Sequence, residues 1–250
     1  MVLYRRSIQK KLTNLETPMK LTLFAILFLS IPSLQAKFNN ESELTTIING
    51  GNTEQETWNS KTLNTYLKNK NTYKLGGHYS YGKADDELNA RNWDLNTRYE
   101  RTLSEKWSAF SAIQREEDFF ASLEYRWNYD LGGIYKFKLE KKQNLHFEAG
   151  YRRTLESDLE GRKTNGSKLR LYTEYSRQHN ESLFYKLWVE ALPNVSESDD
   201  WQVNFEPSLN LIMSKVFSLK LAYLHRYDNQ PTPDSKKSDY QYTTSLIAKF

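Results

Sequence analysis

Histidines at positions 78, 146, 179 and 225 are the chain's best-suited groups for proton transfer near neutral pH. His146 stands two residues before Glu148, and Glu174 stands two before Ser176. On extended chains each pair shares a face, so neighbouring strands could bring a base, an acid and a hydroxyl together. Those are the ingredients of general acid–base or nucleophilic catalysis. Nothing else in the chain completes them. No Gly-x-Ser-x-Gly elbow is present, His78 and His225 are isolated candidate bases, and a lone strand histidine is more often a hydrogen-bonded structural residue. No catalytic residue is assigned, and the chain is not expected to be an enzyme. With no cysteine, disulfides, thiolate metal sites, thiol catalysis and lipoprotein acylation are excluded, and the histidine spacing offers no metal site. No metal or cofactor is expected.

A larger set of charged residues recurs at spacings of two and four. Parity puts Glu124, Arg126, Glu148, Arg152, Arg170, Glu174, Lys186, Glu190, Glu206, Lys220, Arg226 and Asp239 on one side of successive extended segments. Mixed charges on an enclosed face can pair, because a buried charge left alone is costly. They can also line a wet passage and select what crosses it. The first outcome is a structural plug and the second a narrow channel.

The elements that would position them are strands. From Ala121 to Phe137, Leu123, Tyr125, Trp127, Tyr129, Leu131, Gly133, Tyr135 and Phe137 alternate with Ser122, Glu124, Arg126, Asn128, Asp130, Gly132 and Lys136. Only an extended chain has that period. A strand in a soluble protein averages about 5–6 residues, so an aromatic face this long opposite a charged one suits a wall between lipid and a wet lumen. Comparable segments are Ser42–Asn49, Thr57–Leu67, Thr72–Gly82, Leu88–Leu103, Trp107–Ile113 (ambiguous in phase), Leu145–Arg152, Leu169–Ser176, Leu183–Ala191, Trp201–Leu211, Phe217–Tyr227 and Tyr240–Phe250. The expected fold is therefore all-β: an antiparallel transmembrane β-barrel of about 12 strands. Connections alternate between an acidic or longer set, including 115–118 and 156–168, and a shorter, mostly basic set. Short turns belong to the periplasmic rim, which places both termini there.

Composition agrees. The chain has 17 Tyr, 12 Phe and 6 Trp beside 26% charged residues, a mixture suited to interfacial aromatic girdles. A net charge of +4 is too small to imply nucleic-acid binding. One apolar run, Leu21–Ile31, follows Met19 and Lys20 and ends near Ala36. It is short for a transmembrane helix and fits a secretory signal peptide. Residues 1–36 are read as an N-terminal extension and cleavable signal peptide, with the true start at Met19, and 37–250 as a single barrel domain. At the other end Tyr240, Tyr242, Thr244, Leu246, Ala248 and Phe250 share a face, and Tyr242, Leu246 and Phe250 form a C-terminal barrel-assembly signal.

Several landmarks then carry a resemblance over nearly all of 37–250. They are Gly51-Asn52-Thr53, Arg126 with Gly132-Gly133-Ile134-Tyr135, Glu190-Ala191-Leu192-Pro193, Tyr223–Asp228 ahead of Pro231, and Lys237-Ser238-Asp239 leading into Tyr242–Leu246. The chain resembles the YdiY-like family of salt-induced outer-membrane proteins, domain of unknown function 481. Glu116-Glu117-Asp118 departs from that family's basic-then-acidic pair, and residues 1–18 have no counterpart. The resemblance implies a Gram-negative outer-membrane barrel related to salt or envelope stress, and no established reaction. Expected partners are outer-membrane lipid and lipopolysaccharide together with the export and barrel-assembly machinery. Acidic loops meeting cations or host surfaces are a third, adhesive reading.

Overall fold

Alternating side chains compel an extended backbone, and an extended backbone leaves its N–H and C=O groups to be paired sideways. In the computed structural model, which describes residues 37–49, 55–85, 87–231 and 236–250, that pairing closes on itself. The strands in order are β1 (Lys37–Asn49), β2 (Gln55–Lys68), β3 (Asn71–Ala84), β4 (Glu87–Thr102), β5 (Trp107–Asp118), β6 (Leu123–Phe137), β7 (Gln143–Asp158), β8 (Lys163–Gln178), β9 (Leu183–Pro193), β10 (Trp201–Ile212), β11 (Phe217–Asp228) and β12 (Ser238–Lys249). Each is antiparallel to its sequence neighbour, and β12 returns to β1 to make a closed twelve-stranded barrel.

Strand parity separates two environments. Phe110, Ile134, Glu148, Ser245 and Ile247 are buried on the inner side, whereas Leu95, Leu131, Tyr151 and Tyr242 are exposed on the outer wall. A charged interior behind an apolar exterior inverts the rule for soluble proteins and matches a wall facing hydrocarbon. Aromatic rings gather toward both rims. Tyr66, Tyr73 and Tyr99 stand in a row at one, beside Trp107, Tyr135 and Phe137. Trp127–Tyr129 and Trp201–Tyr227 stack at the other.

The first rim carries the connections 69–70, 103–106, 138–142, 179–182 and 213–216, and is called the turn rim below. The opposite loop rim carries 85–86, 119–122, 159–162, 194–200 and 229–237. Strands run further toward the loop rim than the sequence pattern suggested. The expected loop 156–168 is mostly strand, leaving a four-residue turn at 159–162, and the expected charged loop 115–118 is the end of β5. Cross-strand partners hold these polar ends extended: Glu116 opposes Arg126, and Glu156 opposes both Arg126 and Thr164. The phase of β5 is also resolved, with Ser108 and Phe110 inward and Trp107 and Ile113 outward. β1 begins at Lys37 rather than Ser42 because it pairs with β2 from Lys37–Leu67 onward. The segment 1–36, read as a signal peptide, and the Gly51-Asn52-Thr53 landmark lie outside the described residues.

Candidate functional site

The inner wall of the barrel holds the chain's densest chemistry. Glu148 on β7, 4% exposed, accepts hydrogen bonds from both terminal nitrogens of Arg98 on β4, at 3.1 and 2.7 Å, and from Arg170 on β8 at 2.6 Å. Arg98 donates from Nε to Glu100 at 2.7 Å, where Lys74 on β3 also donates at 2.7 Å. Arg170 reaches Glu190 on β9 at 2.7 Å, and Arg152 grips Asp130 on β6 through two bonds of 2.7 and 2.8 Å. Arg152 also approaches Glu190 at 3.5 Å, which joins the set into one network. Its members are four cations (Lys74, Arg98, Arg152, Arg170) and four carboxylates (Glu100, Asp130, Glu148, Glu190). Balanced and forked in this way, the charges offset one another's desolvation.

Phe110 completes this belt. Its ring is 4.1 Å from the Arg98 guanidinium carbon and 5.7 Å from that of Arg170, so the aromatic face meets both cations. Space for it comes from glycine. A Cβ on Gly132 would stand 2.8 Å from Phe110 and 2.4 Å from the Ala149 carbonyl oxygen. Gly132 faces Gly150 across the β6–β7 ladder, so the small pair lets the ring settle against the wall.

Other inward charges form smaller groups. Lys220 on β11 lies 3.4 Å from Glu43 on β1 and 3.1 Å from Glu206 on β10. Arg126 bridges Glu116 at 2.9 Å and Glu156 at 2.7 Å. Glu174 accepts from Tyr172 at 2.8 Å and faces Lys186 at 3.5 Å. Lys61 on β2 and Arg226 on β11 are exposed, and neither forms an ion pair with a described residue.

Of the residues singled out by parity, Glu148, Arg152, Arg170 and Glu190 meet in the belt, while Glu206 and Lys220 meet outside it. Arg226 opposes Asp239 across the β11–β12 ladder. Glu124 stands apart: the register shift between Leu123 and Tyr125 takes it out of the ladder, and it accepts from Ser157 at 2.9 Å near the loop rim. Arg98, Glu100, Lys74, Asp130, Glu43 and Phe110 were missed. The first four carried the parity signal already visible in their own strands, whereas Phe110 sat where the phase was ambiguous. Tyr242, Leu246 and Phe250 face outward at 71%, 44% and 62% exposure, and the Phe250 backbone exchanges hydrogen bonds with Asn40.

The acid–base candidates are distributed along the wall. His146 opposes Glu174, while Ser176 opposes Asn144. His146 lies 3.5 Å from a Glu148 oxygen already held by Arg98. His225 touches Ser238 and Tyr223 at 3.1 Å each on the outer wall, with no described carboxylate joining them. Among the described residues no cluster of three or more His, Asp or Glu could hold a metal ion.

With this geometry in hand, comparison with known proteins gives a fold and a family. The structure is similar to the COG4313 outer membrane channel from Pseudomonas putida F1, with a TM-score of 0.50 and 12% identity, covering 94% of this chain and 99% of that one. The NanC porin aligns at a TM-score of 0.48 and 8% identity over 85% of this chain and 98% of its own. The KdgM porin aligns at 0.47 and 8% identity over 84% and 96%. At 12% identity the likeness to the first of these shows the barrel fold alone. No curated protein matches the chain in sequence. The family model described as "Protein of unknown function, DUF481" matches residues 42–250, most of the chain and nearly the whole barrel, and the chain belongs to that family.

Proposed function

We propose that this protein is an outer-membrane barrel of a Gram-negative bacterium whose lumen is a narrow passage for small charged solutes. The turn rim, which carries Lys37 and Phe250, faces the periplasm in this reading, as short turns do in such barrels. One observation carries it: the ion-pair belt is confined to the wall from β3 to β9, while Lys61 and Arg226 on the remaining wall are exposed and form no ion pair with a described residue. A neutralised belt narrows the lumen without biasing it, and the uncommitted cations are left to meet the solute. The YdiY-like resemblance adds a role in salt or envelope stress, which a rise in transcript on osmotic upshift would support.

The test is planar-bilayer conductance of the refolded protein across a series of salts, after checking for heat-modifiable gel mobility. Unitary steps with an anion preference, lost in Lys61→Gln/Arg226→Gln, are expected. A folded barrel that never conducts would replace this reading with the second one, a structural barrel plugged by charge pairing, which the bidentate grip on buried Glu148 favours.

A further inference from the structure

One seam of the barrel is unlike the others. β7 and β8 are joined over fifteen residue pairs and β2 and β3 over fourteen. β1 and β12 are joined over four, from Glu41–Lys249 to Leu44–Leu246, extended at the turn rim by the Asn40–Phe250 backbone bonds. Beyond Leu44 both strands continue. β1 stays paired with β2 as far as Asn49–Gln55, and β12 stays paired with β11 as far as Tyr227–Ser238. Their facing edges therefore part along the half of the barrel nearer the loop rim.

Burial follows the same line. On β12, Ser245 and Ile247 are each 1% exposed where the seam is zipped, whereas every side chain from Ser238 to Gln241 and Tyr242 is exposed, on both faces. A buried side-chain bond stands at the fork: the Thr45 and Ser245 hydroxyls are 2.6 Å apart, and Lys220 reaches Glu43 beside them at 3.4 Å. The hairpin is weakly held on its other flank as well. The β10–β11 ladder has no pairing at Glu206 and Pro207, where proline has no N–H to donate. Outside that gap lies a groove of about 530 Å3 lined by Leu187, Pro207, Leu209, Leu221, Tyr223 and Tyr242. Unpaired strand edges facing hydrocarbon cost several kcal/mol per group, roughly, unless water or an occupant meets them.

We propose that the split between β1 and β12 is a lateral portal from the lumen into the membrane, latched by Thr45 and Ser245, and that it passes single-chain amphiphiles with an anionic head. The outer side supplies apolar contact at Tyr242 and the adjoining groove. The inner side supplies the head site: Lys61 lies on β2 beside Glu43 at the fork, and Arg226 lies on β11 beside Asp239 further up. Glu43 is taken by Lys220 and Glu41 by Lys249, and Asp239 opposes Arg226 across the β11–β12 ladder. This goes beyond axial passage of small solutes, since the route leaves through the wall.

The chain has no cysteine, so Thr45→Cys/Ser245→Cys has no native thiol to mispair with, and non-reducing gels separate the intended disulfide from one between two copies. In proteoliposomes, transfer of a fluorescent long-chain carboxylate into the bilayer should be fast in the reduced protein, lost on oxidation and recovered with dithiothreitol. A control disulfide at Ala149→Cys/Leu171→Cys, a pair in the β7–β8 ladder, should leave it unchanged. Equal transfer in oxidised and reduced latch variants would overturn the portal. Amide exchange on the unaltered protein is a second test that needs no variant: Tyr240–Ser245 should exchange far faster than β7, and equal protection would overturn the split. Lys61→Gln/Arg226→Gln should lose the preference for the carboxylate over the alcohol of the same chain, and a retained preference would remove the anionic class. Axial conductance should survive the latch disulfide, so failure of the channel reading and failure of the portal are separable.

Discussion

The wall from β3 to β9 and the wall from β10 round to β1 are made of the same kind of strand and are held unequally. The first is tied across the lumen as well as along its ladders, because Arg98 on β4 reaches over two strands to Glu148 on β7. The second has a weaker tie of that kind, Lys220 on β11 reaching over β12 to Glu43 on β1 at 3.4 Å, and two of its ladders are incomplete: four pairs join β1 to β12, and the β10–β11 ladder skips Glu206 and Pro207. A barrel gains rigidity from closure, but closure does not distribute it evenly. Where inward charges interlock, the wall resists deformation, and where a ladder is short, one hairpin can move.

The comparison is broken most severely at Glu148. Glu148→Ala leaves Arg98 and Arg170 without their shared carboxylate and is expected to cost about 3–5 kcal/mol. Thermal unfolding in detergent, read by loss of heat-modifiable mobility, checks this. Glu43→Ala on the looser wall should cost less, since Lys220 keeps Glu206 at 3.1 Å. An equal loss for both would mean that the two walls are equally tied.

Next in size is Gly132→Ala. The added Cβ meets the Ala149 carbonyl oxygen and the Phe110 ring, so overpacking should cost about 1–3 kcal/mol. Gly166→Ala, with nothing within 4 Å of the new atom, should stay within about 0.5 kcal/mol of the parent. Both are read from the same melts.

Pro207→Ala sharpens the contrast from the other side by returning an N–H to the ladder gap. A gain of about 0.5–1.5 kcal/mol is expected, seen as slower amide exchange at Tyr223 and Leu224. Unchanged exchange there would assign the gap to strand geometry rather than to the missing donor.

The smallest effect lies at the 159–162 turn. Arg162 donates to Asp158 at 2.6 Å and holds its carboxyl below the usual carboxylate range, helped by the Arg162 and Glu160 amides. A lowered pKa in the folded state means that this contribution is full above the ordinary aspartate value and is lost as pH falls through the lowered one. The bonds to the Asp158 carboxylate come from residues 160 and 162 of the same turn, so acid should fray the turn locally and leave the melting temperature unmoved. Amide exchange at Gly161 across a pH series measures it.

Much of this was legible in the residues. Alternation is a property of neighbours in the chain, so strand number, the inward side of β6 and β7 and the outward face of Tyr242, Leu246 and Phe250 followed from period two alone. Strand ends were not, because Glu116 and Glu156 look like loop residues until Arg126 stands between them. The departure of Glu124 from the ladder was hidden for a related reason: a bulge is an extra residue in one strand counted against its partner, and parity along one strand does not register it.

Belt and seam belong to the tertiary structure. Sequence parity named Glu148, Arg152, Arg170 and Glu190 as residues of one face, but which cation serves which carboxylate depends on stagger and curvature, which bring Arg98 to Glu148 fifty positions away. Likewise, twelve good strands say nothing about how many residues the last shares with the first. That number is set by how all the ladders add up around the ring, so the place where the barrel closes least was decided only when it closed.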